Sequence, residues 1–384
     1  MPIFLRLVLE KKMHNVIQIR RGTGTSLEKF REKKQGRIAF IGGSITRMTQ
    51  GYSFLTTQLL REMFPFAELE FINAGISSTC SNTGAFRIGQ DVLSKGKIDL
   101  LFIEFAVNDN QDGHLKPAST VRAMEGMVRQ AFKSNPQMDI VFLYTANESH
   151  NRTYAQGKVP REIRAMEKVA KYYRIPTISF AQHVAECLAA GDFDWTKDFG
   201  EEHPSLFGNK IYCSLIQKLL ERSKKANPAV IPAELFDRES LVNGKFISPS
   251  AAEIDDKWTL GIPDWEALSG IKRDCFTNVT TLFSTTPGAE LTLSFSGNCI
   301  GFYLTAGPDA GCISYSIDGS PFKKTDLFHH YSAGLHYPYT KMLAENLEFG
   351  DHKLVLRVSK LRNPKSIGNA VRIMKFATNE SEKS

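Results

Sequence analysis

Between residues 37 and 223, short apolar runs alternate with segments whose apolar positions recur every three or four residues. The runs 37–43, 68–74, 98–107, 139–146 and 175–180 have the length and composition of strands. Segments 50–64, 84–96, 118–134, 158–173 and 205–222 repeat at helical spacing. This strand–helix alternation predicts a parallel sheet covered on both faces, a three-layer α/β/α arrangement. The run 98–107 is apolar almost throughout, as a doubly covered central strand should be. Further along, the period changes to two. Segments 290–295, 299–304, 313–317 and 352–358 are short and separated by turns such as Asp318-Gly319 and Phe349-Gly350-Asp351. They predict an antiparallel β-sandwich of jelly-roll type. Lys224-Lys225 with Pro228 and Pro232 reads as a linker. The expected organisation is a basic arm over 1–36, an α/β domain over 37–223, a linker over 224–236 and a sandwich over 237–384.

Composition changes this picture little. The 384 residues suit two domains, and 42% hydrophobic with 23% charged residues is ordinary for a globular chain. No uninterrupted apolar run approaches the span of a bilayer, so no membrane partner is expected. The net charge of +7 is concentrated in residues 1–36, where nine Lys/Arg face three Glu. The nearly neutral remainder lacks the basic stripe of a nucleic-acid-binding domain, so the arm is expected to be solvated. The opening Pro2–Leu9 is short and broken by Arg6, which argues against a signal peptide and for a cytoplasmic location. An incomplete N-terminus would make the protein secreted or periplasmic. Six cysteines without Cys-x-x-Cys spacing argue against zinc and a disulfide scaffold. A Cys299–Cys312 bridge stays open beside the alternative of buried free thiols.

Chemistry concentrates at the strand ends. The first run ends in Gly42-Gly43-Ser44-Ile45-Thr46, a tight turn presenting a hydroxyl at the carboxyl edge of the sheet, where open α/β sheets bind ligands. Alone, Gly-Gly-Ser reads first as a helix-capping turn, and a phosphate loop would need a Gly-Lys-Ser/Thr ending that is missing. The second run ends in Asn73-Ala74-Gly75-Ile76-Ser77-Ser78 and the third in Asn108-Asp109, so three strand ends meet at one crevice. His203-Pro204 precedes the last helical segment. Proline at the first helical position would put His203 near the N-cap, where the helix dipole keeps an imidazole neutral.

These four blocks, in order and spacing, resemble those of the SGNH/GDSL hydrolases over about residues 37–223. The resemblance implies ester cleavage without a metal or other cofactor. It makes Ser44 the nucleophile and His203 the general base, with an oxyanion hole from the N–H groups of Ser44 and Ser78 and the Asn108 amide; Gly75 is the alternative in the second block. A serine hydroxyl needs a neighbouring base to become nucleophilic, and the tetrahedral intermediate needs fixed donors. Two departures stand out: Ser78 replaces the family's glycine and narrows the crevice, and Gly200 stands where the family usually has aspartate, three residues before the histidine. Asp198 is the first candidate for the missing acid, Glu201 the second and Asp194 a more distant one. A Ser–His dyad is the remaining alternative.

The sandwich resembles accessory domains of carbohydrate esterases, so the expected activity is removal of O-acetyl groups from carbohydrate. A lipid or thioester hydrolase of the same family, and a glycan-binding protein with a silent hydrolase domain, are the alternatives. Trp258, Trp265, Tyr337 and Tyr339 are candidates for stacking on sugar rings, with core packing as the default for each. His329, His330 and His336 suggest surface or interdomain positions more than a metal cluster. The sugar, the ester position and the oligomeric state are not legible.

Overall fold

The computed structural model describes residues 16–223 and 225–381, in two compact units that divide at Val242/Asn243. The first unit is built on a six-stranded sheet: β1 (Ile17–Gln18), β2 (Gln35–Gly42), β3 (Glu68–Gly75), β4 (Leu100–Glu104), β5 (Asp139–Tyr144) and β6 (Thr177–Ser179). The order is β1-β6-β5-β4-β2-β3, with β1 antiparallel to β6 and all other pairs parallel. Every residue of β4 and β5 is buried, as strands covered on both faces must be. The chain winds outward in both directions from β2 and β4, so the topological switch lies between these two strands. Ligands of open α/β sheets bind outside such a point. Ser44 follows β2 and Asn108 follows β4.

Helices Ser81–Asp91, Pro117–Ser134 and Arg161–Tyr172 pack as one group, and Tyr52–Met63 packs on Leu206–Arg222. The expected helix over 84–96 starts earlier, at Ser81, and a short 3-10 turn follows its end at Asp91. Helices Glu148–Ala155 and Phe180–Ala190 were not expected; both carry a side-chain cap, Asn147 to the His150 N–H and Ser179 to the Gln182 N–H.

Two domain expectations need correction. Residues 16–36 are not a solvated arm: they supply β1 and the helix Gly24–Glu32, which buries Leu27 and Phe30. Arg21 lies buried against Asp139 at 3.0 Å, and Asp139 also accepts from the Ser26 N–H and hydroxyl, both at 2.7 Å. Local sequence cannot show that a basic residue pairs with a carboxylate 118 positions away. The remainder of the expected arm, residues 1–15, falls outside the described residues. The expected linker is likewise part of the first unit. Buried Glu125 accepts from the N–H groups of Phe236 (2.6 Å) and Asp237 (2.9 Å) and from the Ser240 hydroxyl (2.6 Å).

The second unit holds two antiparallel sheets. One orders β15 (Tyr337–Ala344), β12 (Ile300–Ala306), β17 (Val371–Asn379), β10 (Thr281–Ser284) and β9 (Thr259–Gly261), with β7 (Gly244–Ile247) also beside β17. The other orders β14 (Lys323–Asp326), β13 (Cys312–Ile317), β16 (Gly350–Val358), β11 (Glu290–Gly297) and β8 (Glu253–Ile254). Alternate residues such as Leu291, Leu293 and Phe295 fill the core between them. Trp258 and Tyr337 are buried, which removes both from the sugar-stacking candidates. Among the described residues no group of three or more His, Cys, Asp or Glu side chains could hold a metal, and none of the six cysteines, Cys299 and Cys312 included, is in a disulfide. His329 stacks on Tyr337 with centroids 4.0 Å apart, and His336 contacts the Ser269 carbonyl oxygen at 2.9 Å. No described helix is long and apolar enough to cross a membrane.

Candidate active site

At the end of β2 the chain passes through Gly43 into a single helical turn, Ser44–Arg47. The turn holds the Ser44 hydroxyl 2.8 Å from His203 Nε2, across 159 residues of chain. The Ser44 N–H, at the start of that turn, has no hydrogen-bond partner among the described residues. Asn108 leaves β4 at the neighbouring strand end. Its amide Nδ2 donates to Asp112 Oδ2 at 2.6 Å. A Cβ on Gly43 would lie 1.9 Å from Asn108 Oδ1, so glycine is required there for close approach.

Ser78 follows β3 in a left-handed conformation, φ +67°. Glycine adopts this conformation without cost, so the serine here adds strain. Gly75, the alternative, already donates its N–H to Asn73 Oδ1 at 2.9 Å, and a Cβ there would meet the Arg47 nitrogen at 2.5 Å. It is a close-approach glycine between β3 and the serine turn.

Beneath the strand ends lies a set of buried polar groups, of which sequence reasoning named Thr46 and Asp109 and missed Glu104, Tyr52, Arg87 and Thr145. Glu104, the last residue of β4, is fully buried. Its carboxylate accepts from Thr46 (3.0 Å) and Thr145 (2.7 Å), with the Gly43 N–H at 3.4 Å. Burial pushes its pKa up, and these donors oppose the shift. Thr46 is 2.8 Å from the Tyr52 hydroxyl. Arg87 spans the ends of two strands, donating to the carbonyls of Ala74 (2.6 Å) and Gly42 (3.0 Å). Asp109, beside Asn108, is buried and its pKa is raised to about 7 by desolvation, against hydrogen bonds from Ser81 and Thr120. The signal available in the sequence was a charged residue inside an otherwise apolar strand.

The histidine side is different. Helix Leu206–Arg222 is capped by Ser205, whose hydroxyl oxygen accepts from the Gly208 N–H. His203, expected near the N-cap, therefore lies two residues before it, outside the helix. Gly200 (φ +90°) and Glu201 (φ +65°) are both left-handed and turn the chain so that His203 meets Ser44.

The turn expected at Phe199-Gly200 is present, but it does not deliver the acid. Asp198 is exposed and its Oδ2 accepts from the Asp194 N–H at 2.7 Å. Glu201 Oε1 accepts from the Thr196 hydroxyl at 3.1 Å, and Asp194 Oδ1 caps the N–H groups of Thr196 and Lys197. All three carboxylates close their own turn. Among the described residues, none forms an ion pair or hydrogen bond with the His203 ring. Ser44, Asn108 and His203 are brought together as expected; Asp198 is not.

Comparison with known proteins bears on the family and the fold. The model of the GDSL-like Lipase/Acylhydrolase family matches residues 40–211. No curated protein matches the chain in sequence. Two solved structures of a two-domain esterase (CEX) active on acetylated mannans, one of them co-crystallised with mannopentaose, are similar at a TM-score of 0.75 and 19% identity. The match covers 96% of this chain and 99% and 100% of theirs, so the likeness extends to both units. At that identity it establishes the fold. Residues 40–211, most of the first unit, match the GDSL-like lipase/acylhydrolase family, and this match supports a carboxylic ester hydrolase.

Proposed function

We propose that the chain is a serine-dependent carbohydrate O-deacetylase that works through an acyl-enzyme. Ser44 Oγ attacks the acetyl carbonyl carbon while His203 Nε2 takes the hydroxyl proton. The oxyanion is met by the N–H groups of Ser44 and Ser78 and the Asn108 amide. Collapse breaks the bond to the sugar oxygen, which leaves with the proton from His203. Water, deprotonated by the same nitrogen, then attacks the acyl carbon, and the bond to Ser44 Oγ breaks as that oxygen takes the proton back from His203 and acetate leaves. The observation that carries this reading is the 2.8 Å contact between Ser44 and His203 at the topological switch. Acetylated mannan is the first substrate to try, because the similar two-domain esterase is active on acetylated mannans. The narrowing side chain at Ser78 favours a small acyl group.

The test is a panel of p-nitrophenyl esters and acetylated manno-oligosaccharides with Ser44→Ala as control, and rapid-quench mass analysis for an acetyl group on Ser44. Acetyl esters should be cleaved far faster than octanoyl esters. Equal or higher kcat/KM on octanoate would favour the lipid hydrolase reading, and activity retained in Ser44→Ala would end the serine mechanism.

A further inference from the structure

Without a carboxylate on its ring, His203 has to be aimed by something else. The segment that carries it is poorly suited to hold itself. His203 is exposed, two left-handed residues precede it, and Pro204 has no N–H to donate. The Pro204 carbonyl lies ahead of the helix that starts at Leu206.

Asn209, on the first turn and a half of that helix, meets this need. It is 1% exposed. Its Nδ2 donates to the carbonyl oxygens of Pro204 (2.6 Å) and Ser205 (3.1 Å). Its Oδ1 accepts from the backbone N–H of Tyr52 at 2.8 Å. Tyr52 opens the helix Tyr52–Met63, so this N–H is among those a helix cannot satisfy itself. From Tyr52 the path returns to the nucleophile: its hydroxyl is 2.8 Å from Thr46 Oγ1, two residues beyond Ser44, and Thr46 donates to Glu104. One carboxamide thus joins the residue after the histidine to the segment after the serine.

We propose that Asn209 is the positioning residue of the Ser44–His203 pair, doing through the backbone what a triad acid does through the ring. The inference rests on the proposed roles of Ser44 and His203. Asn209 touches neither substrate nor reacting atoms; it fixes the distance and angle between the two loops that do. Attack geometry is sensitive enough that a displacement of about 1 Å costs up to about 10²-fold in rate.

Two variants of similar volume separate these hydrogen bonds from packing. Asn209→Leu removes all three bonds, and Asn209→Asp keeps the acceptor for Tyr52 while removing the donors to Pro204 and Ser205. Each is to be compared with wild type, His203→Ala and the double variant His203→Ala/Asn209→Asp on p-nitrophenyl acetate, well below the Tm of every variant. Asn209→Asp is expected to lower kcat by about 10–10²-fold with KM within about threefold, and the double variant to match His203→Ala within about threefold. Should Asn209→Leu fail to fold, Asn209→Asp still decides. Wild-type kcat in folded Asn209→Asp, or a double variant that loses the product of the two single effects, would overturn the inference. Wild-type activity in His203→Ala would instead overturn the dyad on which it rests.

Discussion

The serine turn and the histidine turn of this site are built on opposite principles. Ser44 sits on a strand end whose supports are buried: Glu104, Thr46, Tyr52 and Asn108 are all nearly inaccessible to water. His203 sits in an exposed stretch whose carboxylates close local turns. Side-chain position on the first turn is over-determined by packing; on the second it depends on backbone hydrogen bonds and a single buried amide. The difference teaches that one side chain of a serine–histidine pair can be held rigidly while the other depends on distant support.

The sharpest way to break this comparison is to remove its chemical ends. His203→Ala should lower kcat on p-nitrophenyl acetate by about 10³-fold or more. Asn108→Ala should lower it by about 10²–10³-fold, the usual effect of one lost oxyanion donor. If Asn108→Ala retained near-wild-type kcat, its amide would be structural only.

The buried carboxylates make the serine side pH-sensitive in stability. Asp109 holds its proton up to about pH 7 in the folded state, whereas an unfolded aspartate loses it near pH 4. Between these values the folded state binds more protons, so this group's contribution to stability falls as pH rises and is level above about 7. Denaturant unfolding of wild type minus Asp109→Asn should show a decline of a few kcal/mol across that window. An identical pH dependence in both proteins would remove Asp109 as the cause.

Smaller effects separate the two turns further. Ser78→Gly relieves a left-handed serine and should raise stability by about 1 kcal/mol, read as a higher Tm. It also widens the crevice, so activity on acyl groups one or two carbons longer than acetyl should rise relative to acetate. The smallest effect is expected at the histidine turn: Asp198→Asn and Glu201→Gln should each lower kcat by less than about tenfold. A fall of about 10³-fold in either would restore a triad.

Much of this site is legible in the sequence because parallel sheets collect strand ends. Once β2 and β4 are recognised from their apolar runs, Ser44 and Asn108 must lie side by side, and His203-Pro204 marks the entry to the last helix. The acid was not legible. A carboxylate five residues from a histidine can turn towards it or away, and here Asp198 is claimed by the Asp194 N–H, a choice made by three-dimensional geometry. Asn209 was hidden for another reason: a polar residue in the stripe Ile211, Tyr212, Leu215 reads as a break in the pattern, although burial makes it a demand for partners. The helix Gly24–Glu32 was missed because four of its nine residues are charged, Glu28, Lys29, Arg31 and Glu32, while its large apolar anchors are only Leu27 and Phe30.

The close approach of Gly43 and Asn108 has a consequence for how these positions can vary. The φ of Gly43 is −86°, which by itself demands no glycine; the requirement comes from the neighbouring amide. Positions 43 and 108 therefore form one mutational unit, although 65 residues of chain separate their places in the sequence. Any side chain at 43 needs a shorter residue at 108, and shortening 108 removes the amide proposed as an oxyanion donor. Among variants selected only for folding, substitutions at the two positions should appear together; among variants selected for ester cleavage, both residues should stay as they are.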